Sequence, residues 1–160
     1  MTTPVQGHLN PGKSRFAIIA SRFNDIVTRR LIDGAIDCLT RHGAAETQCE
    51  VILCPGAFEI PMVAREAAET KKFDAIICIG AVIRGDTPHF DYIAAEATKG
   101  IAQIGLQYHL PVINGVLTTD TMEQALERAG LKAGNKGWDA ALSAIEMVNL
   151  FQAISKRASR

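Results

Sequence analysis

Residues able to handle a planar, hydroxylated or anionic ligand gather in four short stretches of this 160-residue chain. In "RGDTPHFDY", residues 84–92, His89 follows Thr87 and Pro88, a pair that predicts a helix start with Thr87 as cap and Pro88 in the first turn. Free amides at such a start can hold an anion without a lysine, and an imidazole beside them can take or give a proton near neutral pH. Asp86 would repel an anion, so its side chain is expected to point away. In "CPGAFEIP", residues 54–61, Glu59 either complements a helix dipole or accepts hydrogen bonds from a polyol. In "SRFND", residues 21–25, Phe23 either packs in the core or stacks on a planar ligand, while Asn24 or Asp25 is placed to cap a helix. In "LTTDTMEQALERAG", residues 117–130, Thr119 or Asp120 is placed as a cap, and Arg128 either complements a helix end or reaches an anion on a neighbouring subunit.

These stretches all follow apolar runs. "RFAIIAS" (15–21), "CEVILCP" (49–55), "DAIICIGAVI" (74–83) and "PVINGVLT" (111–118) read as strands, the third apolar enough to be covered on both faces. Helical spacing fills the intervals at 25–42, 58–70, 90–108 and 121–129, with a last helix at about 138–154. Asn114-Gly115 could mark a hairpin, but the flanking runs are too short, and one strand is preferred. Alternation of this kind predicts a parallel sheet between helix layers, joined by right-handed crossovers. Ligands of such sheets bind beyond the carboxyl ends of the strands, which gathers the stretches at one end of the molecule. The expected organisation is an arm at 1–14, one domain at 15–156 and a basic tail at 157–160.

Several function classes are disfavoured. Lys plus Arg and Asp plus Glu number 17 each, so no net field directs the chain to nucleic acid or an anionic membrane. No run approaches the ~20 apolar residues of a bilayer span, and "MTTPVQGHLNPGK" lacks the apolar centre of a signal peptide. The cytoplasm is the expected compartment. The four cysteines show no CxxC spacing, and the histidines at 8, 42, 89 and 109 no zinc-ligand spacing. "LKAGNKG" is not a nucleotide P-loop, and no GxGxxG follows the first strand.

"SRFN", "PGAFEIP", "GAVIRGDTPHFDY", "GVLTTDTMEQALERAG" and "KAGNKG" resemble, in order and spacing, the 6,7-dimethyl-8-ribityllumazine synthase family of riboflavin biosynthesis, across about residues 15–150. The resemblance implies a flavodoxin-like three-layer α/β/α sandwich with a four-stranded parallel sheet. It implies condensation of 5-amino-6-(D-ribitylamino)uracil with 3,4-dihydroxy-2-butanone 4-phosphate, without metal or organic cofactor. Carried over by position, Phe23 would stack on the pyrimidine and Asn24 would line its pocket. Ala57, Phe58 and Glu59 would hold the ribityl chain, and the backbone of Ala81, Val82 and Ile83 would meet the pyrimidine. Gly85, Asp86 and Thr87 would form the phosphate loop, and His89 would transfer protons. Arg128 would bind phosphate from an adjacent subunit, and Lys136 would contribute near the ribityl chain.

Asn114 departs from the family pattern, which places an aromatic at this position, reaching a neighbour's pyrimidine pocket. Losing that ring removes apolar contact, or marks a paralogue that binds lumazines or flavins, or builds a shell, without turnover. The resemblance also implies homopentamers, open to assembly as a 60-subunit shell that could enclose riboflavin synthase. No insertion interrupts 130–137, where pentamer-only members tend to carry one. The N-terminal arm would then add an edge strand to a neighbour's sheet, or receive one.

Overall fold

The computed structural model describes residues 2–159, so Met1 and Arg160, the ends of the expected arm and tail, lie outside the described residues. Strands β1 (Phe16–Ser21), β2 (Cys49–Cys54), β3 (Ala75–Ile83) and β4 (Val112–Thr119) alternate with helices α1 (Asp25–Arg41), α2 (Ile60–Glu69), α3 (His89–Tyr108), α4 (Met122–Arg128) and α5 (Lys136–Ala158). The strands form one parallel sheet in the order β2-β1-β3-β4. The chain runs outward from β1 to β2, then returns past β1 to β3. The gap between the carboxyl ends of β1 and β3 is thus the topological switch point, where open α/β sheets bind ligands.

Period-two alternation gives each central strand two buried faces. Phe16, Ile18 and Ala20 of β1, with Ile77 and Ile79 of β3, pack against Leu31, Leu39, Ala141 and Ile145 of α1 and α5. Ala17 and Ile19, with Ile76 and Cys78, pack against Ile60, Ala64, Ile101 and Ile104 of α2 and α3. The result is the expected three-layer α/β/α sandwich. Asn114-Gly115 lies inside β4, as one strand. Glycine is needed there because a Cβ would sit 2.8 Å from the Cys78 carbonyl oxygen. None of the helices is long and apolar enough to cross a membrane, among the described residues.

Three expected helix starts are corrected. Thr87 caps nothing; α3 begins at His89 with Pro88 as its N-cap, and no side chain supplies a capping bond. The cap of α4 is Thr121, whose hydroxyl accepts the Gln124 amide at 3.1 Å, rather than Thr119 or Asp120. Asn24 precedes α1 but caps nothing with its side chain.

Helix α5 starts earlier and ends later than the expected 138–154. It takes in Arg157 of the basic tail, which with Lys156 complements the helix dipole in its last turn. Asn135 caps it by accepting the Gly137 and Trp138 amides at 2.8 and 3.0 Å. The same side chain donates to the carbonyls of Arg30 (2.9 Å) and Ala129 (3.1 Å), fixing α5 to α1 and to the end of α4. The N-terminal arm lies along α5 of its own chain: the Asn149 amide donates to the carbonyls of His8 and Asn10 at 2.9 and 2.8 Å.

Candidate active site

A cleft of about 690 Å³ opens at the switch point. The turn after β1 supplies Phe23, which is 70% exposed, and Asn24. Asn24 adopts the left-handed conformation (φ 62°), which asparagine tolerates better than most residues. Its side-chain amide donates to the Ala81 carbonyl at 2.9 Å, joining the β1 turn to β3. Main-chain bonds from Arg22 to the Cys54 carbonyl (2.8 Å) and from Phe23 to the Pro55 carbonyl (3.1 Å) join the same turn to β2. Phe23 is thereby presented to the cleft by three strand ends at once.

After β2, Ala57–Glu59 form a 3-10 turn that leads directly into α2, with Ala57 buried and Phe58 half exposed. Glu59 is half-buried and lines the cleft. It joins no ion pair among the described residues, so its oxygens stay free to accept from hydroxyl groups. Burial, reinforced by the Glu59 carboxylate and opposed by Arg22, raises the pKa of the neighbouring Cys54 thiol. Burial likewise raises Cys78, and pushes Cys38 up to about 11. Buried thiols of this kind act as small hydrophobes rather than as nucleophiles.

Ala81, Val82 and Ile83 form the wall at the end of β3, and Gly85, Thr87, His89, Phe90 and Ile93 close the far side. His89 is exposed in the first turn of α3. Asp86 is exposed and is not among the lining residues. Behind this turn, outside the cleft, the Arg84 guanidinium pairs with Asp120 (2.8 Å) and Asp91 (3.6 Å) and lies 4.5 Å from the Phe90 ring centroid. Sequence reasoning missed Arg84; its position directly before the loop, with acidic residues on both flanking turns, was the available signal.

Asn114, Arg128 and Lys136 do not join this group. They line a separate cleft of about 360 Å³ beside edge strand β4, together with Asp139 and Ser143. Lys136, expected near the ribityl chain, pairs there with Asp139 at 3.6 Å. Arg128 donates only to the Gln124 carbonyl of its own helix (3.0 Å) and has no acidic partner among the described residues. The Asn114 side-chain oxygen accepts the Val116 amide at 3.0 Å, covering one N–H of the edge strand. Among the described residues, no three His, Cys, Asp or Glu side chains converge as a metal-binding group.

An open parallel sheet with a roomy cleft at its switch point defines a flavodoxin-like α/β protein of the kind that binds ligands beyond its strand ends. The chain belongs to the 6,7-dimethyl-8-ribityllumazine synthase family, whose model matches residues 13–152. Proteins of that name from Chloroherpeton thalassium and Chlorobaculum parvum are each 60% identical over 148 residues, 92% of this chain and 96% and 95% of theirs. The one from Prosthecochloris aestuarii is 58% identical over 150 residues, covering 94% and 97% of the two chains. The membership places the chain among the transferases of riboflavin biosynthesis.

Proposed function

We propose that the chain condenses 5-amino-6-(D-ribitylamino)uracil with 3,4-dihydroxy-2-butanone 4-phosphate to give 6,7-dimethyl-8-ribityllumazine, phosphate and water. The ring amine forms an imine with the butanone carbonyl, releasing water. Elimination then expels phosphate, and attack by the ribityl nitrogen closes the second ring with loss of further water. The observation that carries this reading is the convergence in one cleft of Phe23, Asn24, Glu59 and His89, drawn from three separate strand ends.

In this reading Phe23 stacks on the pyrimidine, Asn24 lines its pocket and the Ala81–Ile83 backbone reads its edge. Ala57, Phe58 and Glu59 take the ribityl chain, Gly85, Asp86 and Thr87 contribute main chain around the phosphate, and His89 moves protons during elimination and closure. General acid–base help supplies roughly 10²–10⁴-fold, whereas holding two substrates together can reach effective molarities of about 10⁵ M or above. Positioning therefore dominates. The unpaired Arg128 guanidinium supports a phosphate contact made across a subunit boundary, with Asn114 and Lys136 beside it.

The same reading makes the protein a cytoplasmic homopentamer with sites between neighbours. The uninterrupted 130–137 segment favours assembly of pentamers into a 60-subunit shell, able to enclose riboflavin synthase. Light scattering of the purified protein separates pentamer from shell. The decisive assay mixes protein with both substrates and follows lumazine absorbance above the spontaneous reaction. Protein-dependent product is expected. A folded protein that binds the ribityl-pyrimidine without turnover would be a binding relative, with Asn114 the residue to revert to an aromatic.

A further inference from the structure

Helix α3 carries His89 in its first turn, yet that turn has no side-chain cap. Pro88 at the N-cap has neither a hydroxyl nor a carboxylate to offer the free amides, and the main chain contributes the Asp91 N–H bond to the Pro88 carbonyl at 3.1 Å. Residues 84–88 belong to neither strand nor helix. Arg84 meets this start from outside the cleft. Its main-chain N–H donates to the Thr119 carbonyl at 2.9 Å, joining the ends of β3 and β4. Its Nε donates to Asp120 at 2.8 Å, and its Nη1 faces Asp91 on α3 at 3.6 Å. Its guanidinium plane covers Phe90, whose ring lines the cleft.

We propose that Arg84 is a positioning residue: one guanidinium, held by Asp120, fixes the first turn of α3 and thereby the place of His89 over the cleft. Each contact is weak alone, since the three charged side chains are 47–66% exposed. Their shared fork and stacking surface make them act together, and lysine offers neither feature. The catalytic consequence rests on the synthase reading above; the mechanical one does not.

The test compares Arg84→Met, Arg84→Lys and Asp120→Asn with the unaltered protein, by steady-state kinetics and by amide hydrogen exchange over residues 91–95, the first bonded amides of α3. The clamp predicts a fall in kcat of about tenfold in R84M and D120N, less than the roughly 100-fold that a 1 Å misplacement can cost. KM for the butanone phosphate should stay within about twofold, and R84K should rescue little. The double variant should be no worse than the poorer single one, as expected for two residues sharing one interaction. Exchange over 91–95 should quicken in each variant while that of β3 is unchanged. D120N replaces a surface side chain and serves if the Arg84 variants fail to fold.

A guanidinium that instead bound the phosphate directly would give the opposite pattern. R84M would raise KM at constant kcat, and D120N, by freeing the cation, would leave or lower KM; that result overturns the proposal. Unchanged kcat and unchanged exchange in the variants of an active protein would also overturn it, and so would faster exchange without kinetic effect. If the unaltered protein forms no product while its variants exchange faster, the synthase reading fails and the clamp stands.

Discussion

The two clefts are unlike in what each omits. The cleft at the switch point is the larger, with an exposed aromatic, a free carboxylate and a histidine, but neither Lys nor Arg among its lining residues. The cleft beside β4 is about half as large and contains Arg128 and Lys136, but no aromatic side chain. The first can seat a ring and a polyol; the second can meet an anion. Their linings share no residue. A condensation between a planar polyol and a phosphate ester needs both sets of groups, which is the physical argument for pairing one subunit's larger cleft with another subunit's smaller one.

That pairing is open to direct attack, and the largest effect is expected there. Arg128→Ala and Glu59→Gln should each lower kcat/KM, the arginine change by about 100-fold or more because it removes a charged contact. Refolding the two variants together at equal amounts should restore about a quarter of wild-type activity, since random assembly around a head-to-tail ring pairs intact halves that often. Activity that stays at the level of the separate variants would place the whole site in one chain. His89→Ala should slow kcat by about 100-fold with little change in KM, measured by single-turnover absorbance. A folded, substrate-binding His89 variant with no turnover would mean that proton transfer outweighs positioning.

Smaller effects sharpen the contrast. Phe23→Ala should weaken binding of the ribityl-pyrimidine by about tenfold, from lost stacking and apolar contact, and leave inorganic phosphate binding alone; titration calorimetry with each ligand checks both. Ser21 ends β1 fully buried, and its hydroxyl has no partner among the described residues. Ser21→Ala should therefore change stability by less than about 1 kcal/mol, in the stabilising direction. A clear loss in the urea midpoint would show that ordered water holds that hydroxyl.

Much of this was legible before any coordinates. The four strands announce themselves as apolar runs bounded by turn residues, and the strand-end rule gathers Phe23, Glu59 and His89 without knowledge of their contacts. What stayed hidden is tertiary. Asn24 looks like a cap, yet its amide is spent on Ala81, a partner 57 positions away. Thr87-Pro88 looks like a capped start, but the clamp on that turn comes from Arg84 and Asp120, on two different strand ends. Lys136 is grouped with the ribityl-binding residues by the resemblance, and nothing local reveals that α5 begins at the outer edge, beside β4. Nor does local pattern give the strand order, which is what separates the two clefts.

The joint at Asn135 has a practical consequence for altering this chain. One side-chain amide meets α1, the end of α4 and the start of α5, and it is packed so closely that a Cβ on Gly34 would come 2.3 Å from its oxygen. Two positions later, a Cβ on Gly137 would fall 1.9 Å from the Leu31 carbonyl oxygen. Spacing from Asn135 to Trp138 is therefore rigid to the residue. Upstream the reverse holds: residues 130–134 are exposed, and a Cβ on Gly134 would meet open space, although its φ of 76° still favours glycine. A foreign peptide spliced between Leu131 and Gly134 would leave the subunit fold intact as a surface loop, while interrupting the segment on which the proposed shell depends. The same peptide moved past Asn135 would unseat the longest helix of the molecule.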